Sequence, residues 1–304
     1  MKLTYLDTRN NAVFTRFDDC ENARELLIKE KAKELHIHTN ITGVAFLFSK
    51  ELINSPEPKK RGKLLDLSFI DGLSQLESIY IYPSNDIRIK GFSSLYFLEN
   101  LRNLELQFFT DWSSLTEEAL DLSKLKKLKS FTSVWNDRII NLSTCKSLEN
   151  LQTRHYPNLN CQELEQLINL KHLQIMESKI TNLNGIEKLE NLDSLIIGHC
   201  RKLENIDNIS DCSRLEMVHI EKCPKLLNIN ISSTSLKTII LDKVENLNFL
   251  YNCPNVKKLA FNDLKDGNME PILNNKISEV FFYPSKRKHY QYSEKELHQL
   301  LKEK

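Results

Sequence analysis

One spacing governs this chain. From Leu170 the sequence reads Leu170-x-x-Leu173-x-Ile175-x-x-Ser178-x-Ile180-x-x-Leu183-x-x-Ile186-x-x-Leu189, and the frame restarts at Leu192 with Leu195 and Ile197, 22 residues later. Equivalent starts fall at Leu76, Leu101, Leu128, Leu148, Leu215, Leu236, Val256 and Ile277. From Leu128 onward the steps are 20, 22, 22, 23, 21, 20 and 21 residues, and the two before it are 25 and 27. A chain that repeats itself in this way stacks one small unit on the next, because no single unit can bury its own apolar face.

Each unit carries its own local logic. In Leu170-Lys171-His172-Leu173-Gln174-Ile175-Met176, strand alternation sends Leu173 and Ile175 inward and His172, Gln174 and Met176 outward. Stacked strands then form a parallel sheet over a continuous core. Ile180, Leu183, Ile186 and Leu189 bring the chain back along the other side, and units this short leave little room for a full helix there. The longer unit from Leu101 has room, and Ser114-Leu115-Thr116-Glu117 ahead of Ala119-Leu120 reads as a capping box opening a helix.

In these residues, over roughly 73 to 284, the chain resembles the leucine-rich repeat superfamily, and the unit at Leu170 is similar to the short repeats of bacterial internalins and phosphatase-regulatory leucine-rich proteins. The resemblance implies an α/β solenoid, a leucine-rich repeat horseshoe with a parallel β-sheet on its concave face. It also explains the ninth residue of each unit. That position carries Asn or Cys in the family, turned inward, and here it holds Asn136, Ser178, Cys200 and Cys223.

A repeat stack needs covered ends. Residues 1–33 read as an N-terminal strand–helix cap: Ala12 to Phe17 as a strand, then Asp18-Asp19 capping a helix with Ala23, Leu26, Leu27 and Ala32. Glu34-Leu35-His36-Ile37-His38 alternates like a first sheet strand. An irregular segment near 40–72 follows, with a loop at Asn54–Gly62 and a short strand at Lys63–Leu67. Repeats occupy 34–284. Residues 285–304 read as a C-terminal helical cap, opened by the capping box Ser293-Glu294-Lys295-Glu296 and carrying Leu297, Leu300 and Leu301. The expectation is one domain over 1–304.

Composition bounds the function. With 42 basic and 41 acidic residues the net charge is +1, so neither nucleic acid nor an anionic membrane is indicated as a partner. The start turns polar before any run of signal-peptide length, and no stretch approaches a membrane span. Seven cysteines in no framework spacing suit a reducing, cytoplasmic setting. Cys200 and Cys223, near His199, Cys212 and His219, could suggest a metal site, but repeat register assigns them to the core, and it does the same for Cys145, Cys212 and Cys253. His36 and His38 face one side of a strand and read as an exposed pair on the concave face, since a metal site would need further ligands. No nucleophile elbow, phosphate loop or H-E-x-x-H occurs. The basic run 285–289 reads as solvated surface. No catalysis, cofactor or metal is expected.

What remains is the outward stripe. Its first half is rich in aromatic and Arg residues, the types enriched at binding hot spots. The candidate partner-binding set is Tyr80, Tyr82, Glu105, Gln107, Phe108, Trp135, Arg154, His155, Tyr156, Gln174 and Met176. The reading is therefore a non-enzymatic module, monomeric alone, that binds a protein partner through its concave face. Its specific form is a bacterial immunity protein neutralising a toxin. The alternatives are a regulatory subunit of an intracellular enzyme such as a phosphatase, or a secreted effector or adhesin.

Overall fold

In a computed structural model, which describes residues 4–38, 64–82, 87–107 and 116–303, the chain forms two compact units, residues 1–148 and 149–304.

The first unit contains β1 (Thr4–Asp7), β2 (Ala12–Arg16), helix α1 (Cys20–Glu30), β3 (Glu34–His38), β4 (Leu64–Asp66), β5 (Ser78–Tyr82), β6 (Arg88–Lys90), β7 (Asn103–Leu106), β8 (Leu120–Asp121), β9 (Ser130–Val134) and β10 (Ile139–Ile140). Its main sheet runs β1-β2-β3-β5-β7-β9. The first pair is antiparallel and the rest parallel. Strand β1 had no signal in the repeat frame. β4 with β6, and β8 with β10, form separate two-stranded parallel pairs. The strand expected near Lys63–Leu67 thus exists as β4, but outside the main sheet. The loop expected at Asn54–Gly62 lies outside the described residues.

The second unit contains β11 (Asn150–Arg154), β12 (His172–Met176), β13 (Ser194–Gly198), β14 (Met217–Glu221), β15 (Thr238–Val244), β16 (Lys258–Leu264), a one-turn helix α2 (Glu270–Leu273), β17 (Glu279–Phe282) and α3 (Glu294–Lys302). Its strands pair in chain order, all parallel. The register puts like residues over like. Leu151, Leu173, Leu195, Val218, Ile239, Leu259 and Val280 form one row, all 1% exposed or less.

The return path uses tight turns rather than helices. Short 3₁₀ segments such as Leu122–Lys124, Leu142–Thr144 and Ile186–Lys188 sit on the apolar triplets. The N–H of Leu189 donates to Ile186 at 3.0 Å and that of Leu192 to Leu189 at 2.9 Å, so the Leu-x-x-Leu-x-x-Leu spacing follows from about three residues per turn. Where Cys replaces the middle apolar residue, its thiol reaches the preceding turn: Cys145 Sγ donates to Leu122 O at 3.2 Å and Cys212 Sγ to Ile186 O at 3.7 Å. Side chains just before each repeat start tie the turns together. Asn100 donates to Ser74 O, Asn191 to Ile168 O and Asn255 to Thr234 O, at 2.9, 2.8 and 2.7 Å.

Two expectations change here. The helix expected after Ser114 does not form in its described part: residues 116–119 are irregular, the Thr116 hydroxyl accepts the Glu118 N–H at 3.1 Å, and β8 begins at Leu120. The Thr side chain closes a turn instead of extending a helix. The basic run is not simply solvated either. Arg287 lies 3.4 Å from Asp263, and His289 Nε2 is 3.0 Å from Leu264 O. At the chain's end, the Ser293–Glu296 capping box forms as read, Leu297 is fully buried, and His298 Nε2 reaches Val280 O at 2.7 Å.

Close stacking leaves no room for a side chain at Gly185. Gly185 has φ +99°, and a Cβ there would lie 2.7 Å from the backbone N and Cα of Gln162 in the preceding turn. Gly72, at φ +79°, faces open space. Gly185→Ala should therefore cost about 2–4 kcal/mol, conformation plus clash, and Gly72→Ala only about 1–2 kcal/mol. Chemical denaturation compares the two, and equal losses would contradict the close approach.

Candidate functional site

The register that stacks Leu on Leu also stacks the outward residues, and each unit presents its own patch. In the first unit Phe14, His36, Tyr80 and Glu105 lie in one cross-strand row, with Tyr5 opposite Phe14 on β1. Because strands sit about 4.8 Å apart, planar rings in such a row can stack face to face. They do. Tyr5–Phe14, Phe14–His36 and His36–Tyr80 have centroids 5.0, 4.2 and 4.3 Å apart with interplanar angles of 9°, 11° and 7°. A second row places His38 against Tyr82 at 4.7 Å.

This corrects the reading of His36 and His38 as an exposed pair. The His36 side chain is 12% exposed and bonds Glu34 Oε1 at 2.5 Å, and His38 is buried with neither ring nitrogen hydrogen-bonded. Neighbouring rings remove them from water. Burial pushes the His38 imidazole down to about 4, with the neighbouring His36 adding to the shift, and burial lowers His36 as well. Burial likewise raises the Tyr5 phenol to about 12 and raises those of Tyr80 and Tyr82.

Of the candidate residues in this unit, Tyr80, Tyr82, Glu105 and Trp135 are half-buried, and Gln107 is exposed. Burial raises the Glu105 carboxyl, opposed by a hydrogen bond from Gln107. Phe108 lies outside the described residues. Sequence reasoning missed Tyr5 and Phe14. The alternation of β2 could have placed Phe14, but nothing in the repeat frame announced β1.

The second unit's patch is ionic. Arg154, Gln174 and Met176 are half-buried on the outward face, with His155 exposed just past β11. Arg154 Nη2 lies 2.7 Å from Glu177 Oε1, and His155 Nε2 lies 3.3 Å from Oε2. Partial burial works against the charged form of Glu177, but Arg154 and His155 hold the carboxyl below its ordinary range. The Met176 side chain lies across Gly198, where a Cβ would come within 2.5 Å of Met176 Cε.

Tyr156 belongs to the core, not the face. It is 1% exposed, because it is the ninth residue from Leu148 and fills the inward slot held elsewhere by Ser178 and Cys200. Ser178 Oγ donates to Tyr156 O at 2.8 Å.

Past β11, β12, β13 and β14 the backbone repeats an unusual conformation. His155, Glu177, His199 and Lys222 have φ of 58°, 52°, 57° and 51°, the left-handed region that non-glycine residues rarely enter. The first three N–H groups extend the ladder by one bond, to Met176 O, Gly198 O and Glu221 O at 3.0, 2.9 and 3.0 Å. The hydrogen bond offsets a local cost of about 1–2 kcal/mol. One of these residues, His199, lies 3.7 Å from Glu221 on β14, and His219 on the same strand lies equally close to that carboxylate.

Among the described residues, no group of three or more His, Cys, Asp or Glu side chains could hold a metal ion. Cys145, Cys161, Cys200, Cys212, Cys223 and Cys253 are buried and all seven cysteines are unpaired. Burial pushes the Cys145, Cys161 and Cys212 thiols up to about 11, 12 and 12. These are packing groups rather than nucleophiles.

The His38 imidazole generates a testable acid sensitivity. Its pKa lies near 4 in the folded chain against 6.5 ordinarily, so the unfolded chain binds the proton first. Stability contributed above pH 6.5 is lost as pH falls toward 4, by at most about 3 kcal/mol. His38→Phe keeps a ring against Tyr82 and should flatten this decline in denaturation series between pH 7 and 4.5. An unchanged slope would show that His38 is not the group responsible.

Residues 166–259 match a family described as the leucine-rich repeat domain of the endo-β-N-acetylglucosaminidase EndoS. No curated protein matches the sequence. Among solved structures the chain is similar to an internalin of Listeria monocytogenes, at 18% identity, covering 71% of this chain and 76% of that one with a TM-score of 0.39. It is similar also to a leucine-rich repeat protein of Leptospira interrogans, at 14% identity, covering 82% and 77% with a TM-score of 0.34. The stacked register and three-residue return turns give the chain a leucine-rich repeat fold, and residues 166–259 carry the match to that family.

Proposed function

We propose that this leucine-rich repeat protein is a non-catalytic module that binds a protein partner through the outward face of its sheets. The observation that carries the reading is the ring stack from Tyr5 to Tyr80 with Tyr82 beside it. The inward rows already bury the apolar surface that folding requires. Half-buried tyrosines combine large area, low conformational entropy and a polar tip, which suits them to recognition. The Arg154–Glu177 pair supplies polar rim chemistry in the second unit.

The finer form of the proposal is a bacterial immunity protein that holds a toxin enzyme inactive, in the cytoplasm, where unpaired thiols stay reduced. A regulatory subunit of an enzyme such as a phosphatase, or a secreted effector or adhesin, would use the same face with a different partner.

Affinity purification of the full chain from its native host, with mass spectrometry, identifies the partner, and calorimetry then measures the variants. Tyr82→Ala, Trp135→Ala and Arg154→Ala should each weaken binding about tenfold or more, with little change in melting for Trp135→Ala and Arg154→Ala. A captured toxin supports immunity, and a constitutively bound phosphatase supports regulation. Partner affinity unaltered by all three substitutions would overturn the outward-face reading.

A further inference from the structure

The residue that opens each strand's approach forms a charged edge, distinct from the outward face. Along this edge neighbours compensate one another: Lys33 pairs with Glu77 at 2.7 Å, Lys171 with Glu149 at 2.8 Å and Lys237 with Glu216 at 2.5 Å. Lys257 breaks the pattern. Its rung lies beside Lys237, through the register Thr238↔Lys258, and Ser278 stands on its other side where an acid would be needed. Like charges on neighbouring rungs repel.

At this place the edge opens into a cavity of about 440 Å3, lined by Arg214, Lys237 and Lys257 together with Ser213, Thr234 and Asn255 among others. The opening has a cause in the sequence. Ser213 and Thr234 are small, and Arg214 stands where Asn100 and Asn191 tie other turns together. Its guanidinium meets a neutral partner, Asn191 Oδ1, at 2.7 Å. Two carboxylates also line the cavity. Glu216 pairs with Lys237, which leaves Arg214 and Lys257 as the lining cations without a carboxylate partner among the described residues, and Asp193 lies three rungs from Lys257, roughly 14 Å at ordinary strand spacing.

We propose that this edge cavity binds a tetrahedral oxyanion, a phosphate or sulfate group, between Arg214 and the Lys237–Lys257 pair. Cations from three successive turns, with hydroxyl donors between them, can surround such a group from several directions. A flat carboxylate would use fewer of these donors. An anion that binds only the folded chain stabilises it as its occupancy rises.

The test is titration of the full chain with inorganic phosphate against sodium chloride at equal ionic strength, read by melting temperature and by amide shifts around residues 213–257. Saturable stabilisation by phosphate, weakened about tenfold by Lys257→Gln and by Arg214→Gln but not by Lys171→Gln, is the expected result. A phosphoserine peptide run in parallel distinguishes the sources: tighter binding than free phosphate points to a phosphorylated macromolecule, and equal binding to the free ion. An effect of phosphate no larger than that of chloride, or one indifferent to Lys257→Gln with the variant's melt unchanged, would overturn the proposal. Neither result bears on the outward face.

Discussion

Parallel registration of one strand on the next is the interaction on which everything else rests. Leu173 lies between Leu151 and Leu195, and Ile175 between the buried Thr153 and Ile197, so each turn buries its inward pair against the pair before and after. A single strand of five residues could not hold this arrangement. The return turns make the repetition possible at such short length, because three residues per turn bring Ile186, Leu189 and Leu192 to one side while the chain advances to the next strand. Amides such as Asn191 and thiols such as Cys212 then donate into carbonyls of the preceding turn, so the polar backbone inside the stack is satisfied from side chains as well as from the sheet.

The outward surface follows from the same constraint. A two-residue period fixes which side chains must leave the core, and parallel register fixes which of them become neighbours. In the first unit this brings two tyrosines, a phenylalanine and a histidine from four strands into one stack, although 66 residues separate Phe14 from Tyr80. In the second unit it brings Arg154 to Glu177 and His199 to Glu221 across neighbouring turns. These surface groups are thus brought together by the fold's period rather than by any local motif, which is why the sequence contains no short signature for them.

The same distinction separates what was legible in the sequence from what was not. The repeat strands of the main sheets, the inward rows and the buried cysteines at 145, 200, 212, 223 and 253 were readable, since each depends only on position within a unit. Tyr156 was readable in principle by that rule, because it holds the inward ninth slot, but its aromatic character had suggested the face. Properties set by neighbours were hidden. Burial of His38 depends on rings from other strands, and the left-handed backbone at His155, Glu177, His199 and Lys222 involves residues with no intrinsic preference for it. The edge cavity was equally hidden, because three different turns supply its cations. The helix expected after Ser114 failed because capping-box spacing also fits a local turn such as the one closed by Thr116.

Strand register divides the chain into residues that build the core and residues that leave it. Alanine substitution along a single strand, β12, followed by equilibrium denaturation, measures that division directly. Leu173→Ala and Ile175→Ala should each cost about 2–5 kcal/mol, whereas His172→Ala and Gln174→Ala should stay within about 0.5 kcal/mol of the parent. Comparable losses at inward and outward positions would contradict the account, since the outward face would then be committed to holding the fold together.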